Sequence, residues 1–131
     1  MDREALIARL LDHYQHPRNR GPLGDADVIV TGGDPGCGDT VIAYLKIAPS
    51  GDLIAALSFD GQGCTVSQAA ASLLSERMVG APFAAVDTLS PEEMIDILGR
   101  EIVGARPRCA TLALRTLKIA LAMYRKERHE R

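Results

Sequence analysis

Thr40-Val-Ile-Ala-Tyr-Leu-Lys-Ile-Ala-Pro-Ser-Gly-Asp-Leu-Ile-Ala-Ala-Leu-Ser-Phe59 reads as a β-hairpin. Val41, Ala43, Leu45 and Ile47 alternate with more polar neighbours, the period of a strand with one face buried. Pro49-Ser-Gly-Asp52 supplies turn residues, and Leu53 to Phe59 forms the returning strand. Upstream, the β-branched run Val28-Ile-Val30 opens a further strand. Short turns between three consecutive strands predict an antiparallel meander.

The flanking segments carry helical signals. Asp2 is a candidate N-cap, and Leu6, Ile7, Leu10, Leu11 and Tyr14 recur at helical spacing. His16-Pro17 should end that helix, because the residue before proline resists the α conformation. Beyond the hairpin, a helix is expected from about Thr65 to Met78, ended by Gly80, with a short one over Pro82 to Val86. Ser90-Pro91-Glu92-Glu93 is a strong helix start, and that helix should run to Leu98. A final helix is expected from near Cys109 to about Glu127, with Ala110, Ala113, Leu114, Leu117, Leu121 and Tyr124 on one stripe. The mixed-charge tail from Arg125 reads as solvated. Strands first and helices afterwards define an α+β chain with helices on one face of a three-stranded antiparallel sheet.

At 131 residues the chain is expected to form one domain, 1–131. A net charge of −2, two Phe, three Tyr and no Trp offer no phosphate-neutralising stripe or stacking platform, so no nucleic-acid partner is expected. Apolar runs fall well short of the ~18–20 residues that span a bilayer, so no membrane partner is expected. Met1-Asp-Arg-Glu4 lacks an apolar signal core, and the reading is cytoplasmic.

An odd count of three cysteines in a reducing compartment argues for metal or sulfur chemistry over disulfides. Cys37 lies in Asp34-Pro-Gly-Cys-Gly-Asp39, where flexible glycines let a thiol and the Asp39 carboxylate face one point. Cys64 follows Gly61-Gln-Gly63 and precedes a helix, whose N-terminus should favour the thiolate. Cys109 opens the last helix after Arg106 and Arg108, whose charges act the same way. Three thiolates and one carboxylate make the four ligands of a tetrahedral zinc or iron site. Spacing alone leaves the alternative that each cysteine is a small core residue. Gly61-Gln-Gly63, without a following Gly-Lys-Ser/Thr, does not make a phosphate loop; its glycines suit a loop closing over a metal. Ser67 and Ser72 read as helix-face residues, and His13 and His16 as surface or capping residues. Arg106 reads as a solvent-facing charge or a partner for Asp39.

Cys37-Gly-Asp39, Gly61-Gln-Gly-Cys-Thr-Val-Ser67 and Arg106-Pro-Arg-Cys-Ala-Thr-Leu112 resemble the motifs of the iron–sulfur cluster assembly scaffold family, IscU with its SufU and NifU N-domain relatives. His13-Tyr-Gln-His-Pro-Arg-Asn19 and Gln68-Ala-Ala-Ala-Ser72 match the same family, in the same order. The resemblance implies the SufE/IscU-like fold. It implies ligation by Cys37, Asp39, Cys64 and Cys109 of Zn2+, or of Fe2+ in an assembling [2Fe-2S] cluster. It also implies a cysteine desulfurase and apo iron–sulfur acceptor proteins as partners, with a monomer or weak dimer as the resting state. Tyr14, in a segment that contacts the desulfurase in this family, is the expected partner contact.

Two branches of the family bear on function. Arg108 stands where the IscU branch has histidine, and Val103 to Arg108 replaces its Leu-Pro-Pro-Val-Lys chaperone segment. The third cysteine motif resembles SufU, without the insertion usual there between the second and third cysteines. The leading expectation is a non-enzymatic scaffold that accepts sulfur, with Cys109 as the acceptor, and transfers a [2Fe-2S] cluster. The alternative is a zinc-dependent sulfurtransferase with Cys37 as acceptor. A third reading is a structural zinc domain that only binds partners.

Overall fold

The structure is a computed structural model that describes residues 1–36 and 38–130. The described residues form three strands and six helices. Strands β1 (Val28–Gly33), β2 (Thr40–Ile47) and β3 (Ile54–Gln62) pair antiparallel in the order β1-β2-β3, the expected meander. Val41, Ala43, Leu45 and Ile47 are all buried, so the alternation in the hairpin does mark one inward face. Val30 opposes Ala43, and Ala43 opposes Phe59, placing three buried side chains in one row across the sheet. A register shift between Lys46 and Ile47 keeps Ile54 inward as the hairpin closes. The returning strand runs to Gln62, three residues past its expected end at Phe59.

Helix α1 (Arg3–Gln15) starts where Asp2 accepts the Ala5 N–H at 2.8 Å and stops before Pro17. Helices α2 (Thr65–Met78), α3 (Phe83–Thr88) and α4 (Pro91–Leu98) fall at or near their expected bounds. Ser90 and Glu93 form the complete capping box of α4. The four-residue α5 (Arg100–Val103) was not legible, since one turn between Gly99 and Gly104 carries no periodicity. Helix α6 (Pro107–Glu130) lies across β1 and β2, while α2 packs on β3 and carries α1. Gly32 makes the crossing close: a Cβ there would collide with the Thr116 hydroxyl of α6.

Two further features add to the sequence reading. The C-terminal turns of α6 are exposed, as the charged tail suggests, and are also fastened at two points. Arg125 binds both carboxylate oxygens of Asp87 at 2.8 and 2.7 Å and lies 5.4 Å from the Phe83 ring centroid, and Arg128 donates to the Gly51 carbonyl at 2.7 Å. On the other side of the sheet, residues 19–21 pair with the outer edge of β3. The Phe59 N–H donates to Asn19 O and the Gly21 N–H to Phe59 O, each at 3.0 Å. That pairing covers a strand edge that would otherwise invite intermolecular contacts.

Candidate metal and sulfur site

Three elements end at one point. Asp39 directly precedes β2, Cys64 is the N-cap residue of α2, and Cys109 lies in the first turn of α6. Gly38, at φ 75°, turns the chain into Asp39, a conformation that disfavours a side chain. The ligand atoms of Asp39, Cys64 and Cys109 lie within 4.8 Å of one another. Cys109 is buried and the other two are half-buried. Cys37 lies outside the described residues.

Hydrogen bonds hold the carboxylate in place. The Cys64 backbone N–H donates to Asp39 Oδ2 at 3.1 Å, setting the carboxylate at the positive end of α2. Ser67 Oγ donates to the Cys64 carbonyl at 3.1 Å and lies 3.8 Å from the Cys64 sulfur. Burial pushes the Asp39 pKa up. The Cys64 N–H, the Ser67 hydroxyl and the thiols of Cys64 and Cys109 outweigh it, and the carboxyl sits below its ordinary value. Gly63 makes this proximity possible, because a Cβ there would strike the Ser67 hydroxyl and come within 3.0 Å of Asp39 Cγ.

Arg106 is exposed, as one of its two readings had it, and its charge acts on the thiols more than on Asp39. Its pKa is raised first by a hydrogen bond to Cys64, then by the charges of Cys64 and Cys109, with Asp39 a weaker contributor. The guanidinium therefore serves the sulfurs more than the carboxylate. Arg108, expected to act on Cys109, points elsewhere, to Asp34 Oδ1 at 3.4 Å. Asp34 itself is buried and also receives Arg115 Nη2 at 2.8 Å. Its role was not legible from a local reading, because these partners lie 74 and 81 residues away in sequence.

His13 also departs from its reading. It is buried, its Nδ1 lies 2.8 Å from Ser72 Oγ, and its Nε2 lies 3.9 Å from Glu76. Ser72 accepts the Arg18 backbone N–H at 2.9 Å as well, so the His-Pro-Arg segment is bound to α2. Tyr14 is exposed.

Two thiols and a carboxylate from three chain segments fit the donor set of a tetrahedral zinc or iron–sulfur centre; a zinc site needs ligand atoms at roughly 2.0–2.3 Å from the ion. An α+β fold with such a centre at the joint ends of its sheet and two helices defines a class of small thiolate-site proteins. The chain belongs to the family of NifU-like N-terminal domains, whose profile matches residues 7–131. It is 34% identical over 119 residues to the iron–sulfur cluster assembly scaffold protein IscU of Aquifex aeolicus, covering 88% of this chain and 73% of that one. It is 29% identical over 130 residues to the zinc-dependent sulfurtransferase SufU of Bacillus subtilis, covering 86% of each chain. The solved structure of the SufU protein of Fervidobacterium islandicum superposes with a TM-score of 0.74 at 26% identity, over 86% of this chain and 93% of that one. Among the described residues, no helix is long and apolar enough to cross a membrane.

Proposed function

We propose that this chain is a single-domain scaffold for iron–sulfur cluster assembly, acting in the cytoplasm. It takes persulfide sulfur from a cysteine desulfurase together with Fe2+, an external electron donor completes the reduction of that sulfur to sulfide, and the resulting [2Fe-2S] cluster is carried as cargo and passed to apo iron–sulfur proteins. Cys37, Asp39, Cys64 and Cys109 are the proposed ligands. The observation that carries the reading is the convergence of Asp39, Cys64 and Cys109 within 4.8 Å from three separate elements.

In the sulfur step, a thiolate of this chain attacks the outer sulfur of the desulfurase persulfide. The S–S bond breaks, the desulfurase cysteine leaves as a thiolate, and a persulfide forms on the acceptor without net oxidation or reduction. Cys109 is the proposed acceptor. The Arg106 guanidinium, whose pKa is raised by Cys64 and Cys109, favours negative charge on the sulfurs. Asp39 is the exchangeable ligand, since a carboxylate is harder than thiolate and holds a soft cluster less firmly. Asp39→Ala should therefore lengthen the life of a reconstituted cluster, read as slower bleaching of its visible absorption. An unchanged or shorter life would argue against this role.

A second reading, a zinc-dependent sulfurtransferase with Cys37 as acceptor, has its own support. The metal-capable cluster among the described residues contains no histidine, and Arg108, in the position before Cys109, faces Asp34. Bound zinc would keep the thiols deprotonated until a partner displaces one. Metal analysis of the purified protein, followed by desulfurase, cysteine, Fe2+ and reductant under a visible spectrometer, separates the readings. A [2Fe-2S] spectrum that moves to an apo-ferredoxin supports the scaffold. Retained zinc, no cluster and a sharp rise in desulfurase turnover support the sulfurtransferase.

A further inference from the structure

We infer that Asp34, clamped between Arg108 and Arg115, is a positioning residue that fixes the loop positions Gly36, Gly38 and Asp39 against the start of α6 and so governs how fast the site releases its metal. The inference rests on the proposed ligation by Asp39, Cys64 and Cys109. Every polar group of Asp34 is engaged, and every bond goes to that loop or to α6. Oδ1 accepts the Gly36 N–H at 2.7 Å and Arg108 Nη1 at 3.4 Å, and Oδ2 accepts Arg115 Nη2 at 2.8 Å. The carbonyl accepts the Gly38 N–H at 2.8 Å, and the backbone N–H donates to the Asp39 carbonyl at 3.4 Å. One buried aspartate thus ties both ends of the loop to each other and to the helix that bears Cys109.

The arginines are themselves set for this task. Arg115 Nη2 also donates to the Arg108 carbonyl at 2.9 Å, and its Nε donates to Thr111 Oγ1 at 3.3 Å. Arg108 lies across the loop backbone: a Cβ at Gly36 would come within 2.8 Å of Arg108 Cδ. Bidentate-capable guanidinium groups on a buried carboxylate give directional as well as ionic restraint. With Arg108 held in this way, the first turn of α6 and the loop move as one body. Asp39, at the loop's far end, keeps its distance to Cys109 only while that body is intact. Groups that orient metal ligands without touching the ion commonly change affinity by about 10–100-fold when altered.

The test uses full-length protein loaded with zinc, comparing wild type, Asp34→Asn, Arg115→Met, Arg115→Lys and the Asp34→Asn/Arg115→Met double variant. Zinc release is followed in a stopped-flow instrument by transfer to a coloured chelator, and amide exchange is measured on the metal-free proteins. Each disrupting single variant should release zinc roughly tenfold faster or more. The double variant should be no faster than the faster single, and Arg115→Lys should fall between wild type and Arg115→Met. In metal-free Asp34→Asn, exchange should rise at Gly36, Gly38 and Thr40 but not in α2 or α4. Unchanged release with unchanged loop exchange would overturn the inference, as would a release rate that rises only with exchange throughout the chain. Wild-type protein that takes up no zinc would count against the ligand assignment alone, and loop exchange in Asp34→Asn would then decide whether the clamp exists.

Discussion

A methyl group added at Gly63 would run into the Ser67 hydroxyl and the Asp39 carboxyl. Gly63→Ala should therefore leave the fold in place while pushing Asp39 off Cys64, weakening zinc binding by about tenfold, the range of changes that disturb ligand orientation. Competition titration against a chelator of known affinity checks this, with circular dichroism as the control for folding. The glycine-rich approach to Cys64, suited to a loop closing over a metal, was legible in sequence; the contact that excludes a side chain at Gly63 was not, because Asp39 comes from a distant segment just before β2. Asp34 gives a pH signature. The Gly36 N–H, foremost, then Arg115 and Arg108 hold its pKa below the ordinary value despite burial. Its stabilising effect is complete above the unfolded carboxylate value of about 3.9 and disappears as pH falls through the lower folded value. In metal-free protein, the Tm gap between wild type and Asp34→Asn should be steady from pH 7 to 5 and close below pH 4.

Helix α1 is joined to α2 by a polar seam built on His13. Burial, then the nearby Arg18 charge, lowers the His13 pKa, against the opposing pull of Glu76 and Asp12. Below an ordinary value of about 6.5 the unfolded chain binds a proton that the folded imidazole refuses, so stability falls as pH drops through that window. Metal-free wild type should lose Tm between pH 7.5 and 5.5, with α1 amides exchanging faster, while His13→Gln should show a flatter profile. A wild-type curve as flat as the variant's would remove His13 from the seam. Between β1 and α6, Gly32→Ala should cost about 1–3 kcal/mol by forcing the Thr116 contact apart, measurable by urea denaturation. The bounds of α1, the strand alternation of β2 and the cap of α4 were legible because each is a local pattern. The buried histidine was not, since Ser72 lies 59 residues away and a lone histidine carries no periodic signal.

Across the whole molecule, the proposed centre joins segments that meet nowhere else in the same way: the start of β2, the start of α2 and the start of α6. An ion bound there crosslinks the sheet to both helices. Saturation at a hundredfold excess over Kd adds about 2.7 kcal/mol to stability. Zinc should raise Tm by an amount on the order of 10 °C for a chain this size, and Cys109→Ser should abolish most of that rise. The fold class was legible because element pattern and motif order carry it, and residue type singled out Asp39, Cys64 and Cys109, the proposed ligands that the fold brings together. The cross-chain distances that make a site were not, and they rest on how α6 lies across the sheet. That lie also gives the molecule two unlike ends. From Cys109 to Arg128, helix α6 covers about 28 Å at ~1.5 Å per residue, and at its distal end Arg128 grips Gly51 in the hairpin turn. A sensor-chip tether grafted at Ser50, an exposed residue of that turn, would therefore hold the protein about one helix length from Cys109, leaving the end that carries the proposed centre clear for any soluble partner.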